Sequence, residues 1–284
     1  MNLKLPAYLT VFLLLFGCQS KPEVSEDFAI IFIGSSLRTT DNALVDPIDK
    51  NAFYIEGAVI YKELVDRGVL PENIYFLYKD GKPDFEEPLL KDIRELMEDE
   101  FADSSYSKEA TVINMMKIER QIQRKLGDDS NFFLIIDAHG LVDKFGFKIR
   151  SEHDKTYIRS WDIREMVRNN RGRNHLFIGS CYSGYFLKDV DDINARVVTA
   201  APPDKAVWLD RDVSFGREYF SLIPENLSAS NDQYSEAFKK AAARFLKWGD
   251  DKTDFIENKY EGGGHPEVKT LDWRPIEKVL GDFK

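Results

Sequence analysis

The residues of this chain best suited to chemistry are a cysteine and a histidine that each follow an apolar run. Cys181 comes after His175-Leu176-Phe177-Ile178-Gly179-Ser180, and His139 comes after Asn131-Phe132-Phe133-Leu134-Ile135-Ile136-Asp137-Ala138. A thiolate is a strong nucleophile, and an imidazole within hydrogen-bond reach is the usual group to take the thiol proton. Gly140 follows the histidine directly. Without a side chain it lets a backbone N–H point into a site and donate to an oxyanion, and the Cys181 N–H is a natural second donor. Each half read singly has an ordinary structural meaning: a small buried hydrophobe for the cysteine, a strand-ending turn for His-Gly. The two together, at the ends of two similar apolar runs, favour a catalytic reading.

The chain holds one other cysteine, Cys18, which closes Leu15-Phe16-Gly17-Cys18. Lys4 and the apolar stretch from Tyr8 to Phe16 form the positive and apolar parts of an export signal. The stretch is shorter than the roughly 20 residues that span a bilayer. Gly17-Cys18 resembles a bacterial lipobox, whose cysteine is lipidated after cleavage, with Phe16 bulkier than the usual residue at its place. A cleaved signal without lipid and an uncleaved anchor are the alternatives. Acyl chains on Cys18 would hold the protein on a membrane, since each buried methylene contributes about 0.8 kcal/mol. Residues 1–17 are therefore expected to be a signal peptide and 18–26 a lipidated tether. Residues 27–284 then form the folded domain, on the bacterial cell envelope. With Cys18 consumed, Cys181 has no partner for an internal disulfide.

The remaining histidines are weaker candidates. His175 opens its strand, at the end away from the site; His153 lies in a charged loop; His265 follows Gly262-Gly263-Gly264. One cysteine and scattered histidines give no metal-ligand spacing, so no metal or other cofactor is expected. The Gly179 to Gly184 unit is one residue longer than the glycine-to-glycine elbow of serine hydrolases, and no phosphate-cradling loop occurs. The net charge of -10 and an isoelectric point near 5.1 argue against nucleic acid as a partner. Arg164, Arg168, Arg171 and Arg173 read as a solvated face rather than a binding stripe.

Strands must carry these residues to one place. Phe28 to Ile33 is an apolar run without alternation, as in a strand buried on both faces, and Asn73 to Tyr78, Asn131 to Asp137, His175 to Gly179 and Ala195 to Thr199 read as further strands. Helical spacing covers Asn51 to Arg67, Leu89 to Phe101, Thr111 to Leu126, Ile158 to Val167, Phe215 to Leu222 and Gln233 to Trp248. Alternating strands and helices predict an α/β fold, with a mostly parallel central sheet and helices on both faces. In such sheets ligands bind beyond the carboxyl ends of the strands, where His139 and Cys181 lie. The segment from Lys252 to Lys284 reads as a structural tail, or as a cover over a cleft hinged at the glycine triplet.

With these residues in hand, the chain resembles the legumain-like family of cysteine peptidases, within the caspase/legumain clan. The resemblance runs through Ile30 to Ser35, Asn51 to Leu64, Tyr78-Lys79-Asp80, Ile136-Asp137-Ala138-His139-Gly140 and Ser180-Cys181-Tyr182-Ser183-Gly184. It continues through Asp192-Ile193-Asn194, Val198-Thr199-Ala200-Ala201-Pro202 and Ser214-Phe215-Gly216, and spans roughly residues 28–220. It implies a caspase-like three-layer sandwich and a dyad, with Cys181 as nucleophile and His139 as base and acid. The Gly140 and Cys181 N–H groups would form the oxyanion hole, and a peptide or protein would be the substrate. No orienting carboxylate is implied for Asp137. Trp208 falls where the family lines its substrate cleft, and Arg38 or Lys50 could supply a basic pocket residue. The family has an acid two residues before the nucleophile, where this chain has Gly179, so an Asn or Asp preference is not implied. The expected activity is a membrane-anchored cysteine endopeptidase. A transpeptidase of the same clan and a non-catalytic envelope binding protein remain alternatives. So does an unrelated thiol hydrolase acting on esters.

Overall fold

The computed structural model describes residues 26–34, 52–78, 107–151, 153–190, 192–205, 214–259 and 274–280. The leader with Cys18, Arg38, Lys50, Lys79, Asp80, the Leu89 to Phe101 stretch, Trp208, Gly262 to Gly264 and His265 lie outside them.

Seven strands make the central sheet: β1 (Phe28–Ile33), β2 (Ile74–Tyr78), β3 (Ser107–Lys108), β4 (Asn131–Asp137), β8 (Arg173–Gly179), β9 (Ala195–Thr199) and β10 (Ile276–Leu280). Their order is β10-β9-β8-β4-β1-β2-β3. Every pairing is parallel except that of β10 with β9. Among the described residues, five α-helices flank the sheet: α1 (Ala52–Asp66), α2 (Val112–Gln123), α3 (Ser160–Val167), α4 (Phe215–Leu222) and α5 (Asn231–Lys259).

The unbroken apolar strands bury both faces. Along β1, Ala29, Ile31 and Ile33 enter one core with Phe53, Ala58 and Leu64 of α1, Phe215 and Tyr219 of α4 and Phe245 of α5. Phe28, Ile30 and Phe32 enter the other, with Met115 and Ile118 of α2 and Ile163 and Met166 of α3. Burying an apolar side chain of this size contributes about 1.5–3 kcal/mol, so the two layers are what hold the sheet. The result is the three-layer α/β sandwich, with a mostly parallel sheet, that the sequence predicts.

Local signals set the ends. α1 stops at Gly68, whose φ of +91° suits glycine. There the Val69 N–H returns to the Leu64 carbonyl and the Gly68 N–H to that of Val65. Thr111 caps α2, its hydroxyl accepting from the Asn114 N–H at 3.1 Å. Asp27 accepts from the Asn131 N–H at 2.7 Å, which ties the start of β1 to the start of β4.

Three expectations are corrected. A helix from Ile158 is not formed: Tyr157–Arg159 is strand β7, and α3 starts at Ser160. β7 completes a small antiparallel sheet with β5 (Gly140–Asp143) and β6 (Gly146–Arg150), where Ile158 stands opposite Ile149. β5 and β7 are short and partly exposed, while β6 alternates, with Phe147 and Ile149 buried and Lys148 and Arg150 partly exposed. The last helix is longer than predicted, running from Asn231 to Lys259. β10 carries Glu277 and Lys278 and so lacks an apolar run, yet it is the antiparallel edge of the main sheet. Arg196 of β9, 1% exposed, pairs with Glu277 and donates to Asn231 Oδ1 at 2.7 Å, holding that edge to α5.

Candidate active site

β4 and β8 are neighbours in the sheet, and their parallel register sets Asp137 opposite Gly179 at the carboxyl edge. His139 and Cys181 each stand two residues beyond that pair. The two ladders on either side fix the edge: the Gly34 N–H donates to the Asp137 carbonyl at 3.0 Å, and the Ala200 N–H to the Ile178 carbonyl at 3.0 Å. Beyond the strand end, the His139 carbonyl accepts from the Arg150 N–H at 3.0 Å, which ties it to the small sheet. The His139 ring meets Phe53 of α1 edge-on, with centroids 5.4 Å apart.

Gly140 sits against the cysteine backbone. A Cβ at position 140 would overlap the Cys181 carbonyl oxygen and lie 2.9 Å from the Ser180 hydroxyl. Glycine is therefore required here by space. Cys181 is partly exposed and forms no disulfide. The turn that follows is held by the segment after β9. The Tyr182 N–H donates to the Lys205 carbonyl at 2.7 Å and the Gly184 N–H to that of Ala201 at 2.8 Å. The Ala201 N–H donates to the Ser183 hydroxyl at 3.0 Å. Tyr182 has φ +60° and ψ +13°, a left-handed conformation that side-chain-bearing residues rarely adopt. Such strain persists only where the surroundings enforce it, and it gathers at functional sites.

A pair of buried acids lies under this edge. Glu56 of α1 is 2% exposed and Asp137 is fully buried. Their carboxyl groups are within hydrogen-bonding reach of one another, and Glu56 also accepts from the Ser214 side chain and the Gly216 N–H. Burial raises the Asp137 carboxyl well above the usual range, with the charges of Glu56 and Cys181 adding to the effect. Burial raises Glu56 as well, against the lowering effect of its hydrogen bonds and of Arg217. A Cβ at 179 would come 2.9 Å from Asp137 Oδ1, so Gly179 leaves room for that carboxyl.

Sequence reasoning left Asp137 without a partner and did not single out Glu56 or Tyr182. The signal for Glu56 was present: it is the lone acid in the apolar run Phe53-Tyr54-Ile55-Glu56-Gly57-Ala58-Val59-Ile60. Two of the competing histidines, His153 and His175, are among the described residues. His153 is exposed. His175 is buried between Phe133 and Tyr234, with ring centroids at 4.5 and 4.8 Å, and its Nε2 lies 3.3 Å from Asn131 Oδ1. Burial pushes its imidazole well below the usual value, and Arg196 and Arg173 add to that. Arg164 pairs with Asp192 and Arg168 with Glu165, as befits a solvated face.

Comparison with protein-family models and with curated proteins finds no match. Among solved structures, the chain is similar to the Drosophila initiator caspase Dronc, at 11% identity and a TM-score of 0.40, over 90% of this chain and 80% of that one.

Proposed function

We propose that this protein is a cysteine-type endopeptidase working through a Cys181–His139 dyad and held at the cell envelope by lipid on Cys18. The observation that carries the reading is the β4–β8 register, with Asp137 opposite Gly179, which starts both candidate residues from one row of the sheet edge. The contact of Gly140 with the Cys181 backbone adds to it.

In this mechanism His139 takes the Cys181 proton as Sγ attacks the peptide carbonyl carbon. The oxyanion accepts hydrogen bonds from the Gly140 and Cys181 N–H groups. His139 then gives the proton to the departing amine, which leaves an acyl-enzyme thioester. Water, deprotonated by His139, attacks the thioester and releases the acid and the thiol. An amine in place of water would give transpeptidation from the same intermediate. Trp208 and Arg38 are the proposed walls of the substrate cleft.

The test is a peptide library offered to the purified protein, with Cys181→Ala as control. Turnover and labelling by a thiol-directed peptide electrophile are expected in the parent and absent in the variant. Unchanged turnover in Cys181→Ala overturns the assignment. An added amine acceptor separates transfer from hydrolysis, and small esters beside the peptides separate a thiol esterase. For the anchor, cells fed a tagged fatty acid should label the parent and leave Cys18→Ala unlabelled.

A further inference from the structure

Neither oxygen of Asp137 accepts a hydrogen bond from an N–H or hydroxyl group of any described residue, although the side chain is fully buried. An ionised carboxylate in that position would forfeit several hydrogen bonds and carry a bare charge, at a large cost in free energy. Its neighbour is the Glu56 carboxyl, and two carboxylates cannot share a dry site without a proton between them. Only one of the two is built to hold the charge. Glu56 accepts from the Ser214 side chain and from the Gly216 N–H in the first turn of α4, and Arg217 lies near enough to act on it. A helix N-terminus favours an anion. A Cβ on Gly216 would overlap Glu56 Oε1, so the backbone there is fitted around this oxygen.

We propose that Asp137 is a neutral carboxylic acid that donates its proton to the Glu56 carboxylate, and that the two are a positioning pair beneath the proposed dyad. The pair ties α1 and the start of α4 to the strand end that leads into His139 and Gly140. Because the charge rests on Glu56, at the α4 side, the residue whose charge acts on Cys181 stays neutral. The groups facing the pair are Ser214, Gly216 and Arg217 from the start of α4, Cys181 from the turn after β8, and Gly179 from β8 itself. The role as a positioning pair rests on the dyad reading; the protonation state does not.

Three measurements test it, and none needs peptide turnover. The first is isotope-edited infrared spectroscopy of the full chain at about pH 8, where ordinary carboxyls are ionised. A carbonyl band of a protonated acid should be present, should move when the aspartate carboxyls carry carbon-13, and should vanish in Asp137→Asn. No such band, or one moved only by labelled glutamate, overturns the proposal. The second is the pH dependence of iodoacetamide alkylation at Cys181, in a chain carrying Cys18→Ser. Asparagine replaces one neutral donor by another, so Asp137→Asn should leave the rate at about pH 7 within twofold. A rise of about tenfold, one pH unit in the midpoint, would mean that a carboxylate charge had been removed, and it overturns the proposal. Asp137→Leu, which removes the donor, should melt lower than Asp137→Asn; equal melting of the two likewise overturns it. A chain that cleaves no peptide yet shows the aspartate band would reject the peptidase reading and keep this one.

Discussion

Gly140 faces the Cys181 carbonyl oxygen so closely that a single added methyl group would overlap it. The residue after the candidate base and the candidate nucleophile itself are thus in backbone contact, across the gap between β4 and β8. No rotamer change can relieve such a clash, because the atom in the way belongs to the main chain.

Gly140→Ala should therefore separate the two strand ends or unfold them. The expected cost is about 1–3 kcal/mol, read as a lower urea midpoint, with loss of peptide electrophile labelling at Cys181 even where the variant stays folded. A variant of parental stability with parental labelling would show that the contact is not constraining.

Tyr182 holds a left-handed conformation directly after Cys181. Glycine adopts it without penalty and asparagine at little cost, while a β-branched side chain resists it. Stability should therefore fall in the order glycine, asparagine, valine at this position, with valine below glycine by about 1–2 kcal/mol. Tyr182 also packs against the α2/α3 core, so glycine loses some burial and should end within about 1 kcal/mol of the parent. Urea unfolding of the three variants measures this. Valine matching glycine would count against an enforced turn.

Glu119 on α2 is 5% exposed, and burial raises its carboxyl from 4.5 to about 7, against the lowering effect of Arg120. The folded value lies above the unfolded one, so the native state favours the protonated form. That contribution to stability is fully present below about 4.5 and is lost as pH rises through about 7. Glu119→Gln keeps the shape without the charge. It should match the parent near pH 4.5 and exceed it near pH 8 by up to about 3 kcal/mol, measured by urea unfolding at both values. The same difference at both pH values would show that Glu119 does not titrate in this range.

The parallel core strands and most of the helices were legible because their signals are local. Asn131 to Asp137 is apolar from Phe132 to Ile136, Ala195 to Thr199 carries Val197, Val198 and Thr199 in a row, and both are strands over the predicted residues. Phe215 to Leu222 is likewise a helix with the predicted ends. The small sheet was not legible. Leu141 and Val142 are about two-fifths exposed, so β5 shows no buried face to read. Nor was β10, where Glu277 interrupts the apolar pattern because its partner is the buried Arg196, far away in sequence. The legumain-like pattern has an acid at the position of Gly179. Here the carboxyl beside that position belongs to Asp137, on the neighbouring strand and turned into the interior.

The order of residues along this chain was enough to determine an α/β sandwich and to place a thiol and an imidazole just past two buried strands. Unbroken apolar runs, helical spacing and the strand-end rule are properties of short windows. Only the tertiary structure decided that β4 lies between β1 and β8, that Gly140 abuts Cys181, and that Glu56 stands against Asp137. Those relations join segments distant in sequence. They are set by how two apolar cores close on the sheet, and a buried acid shows its partner only once that closure has excluded water.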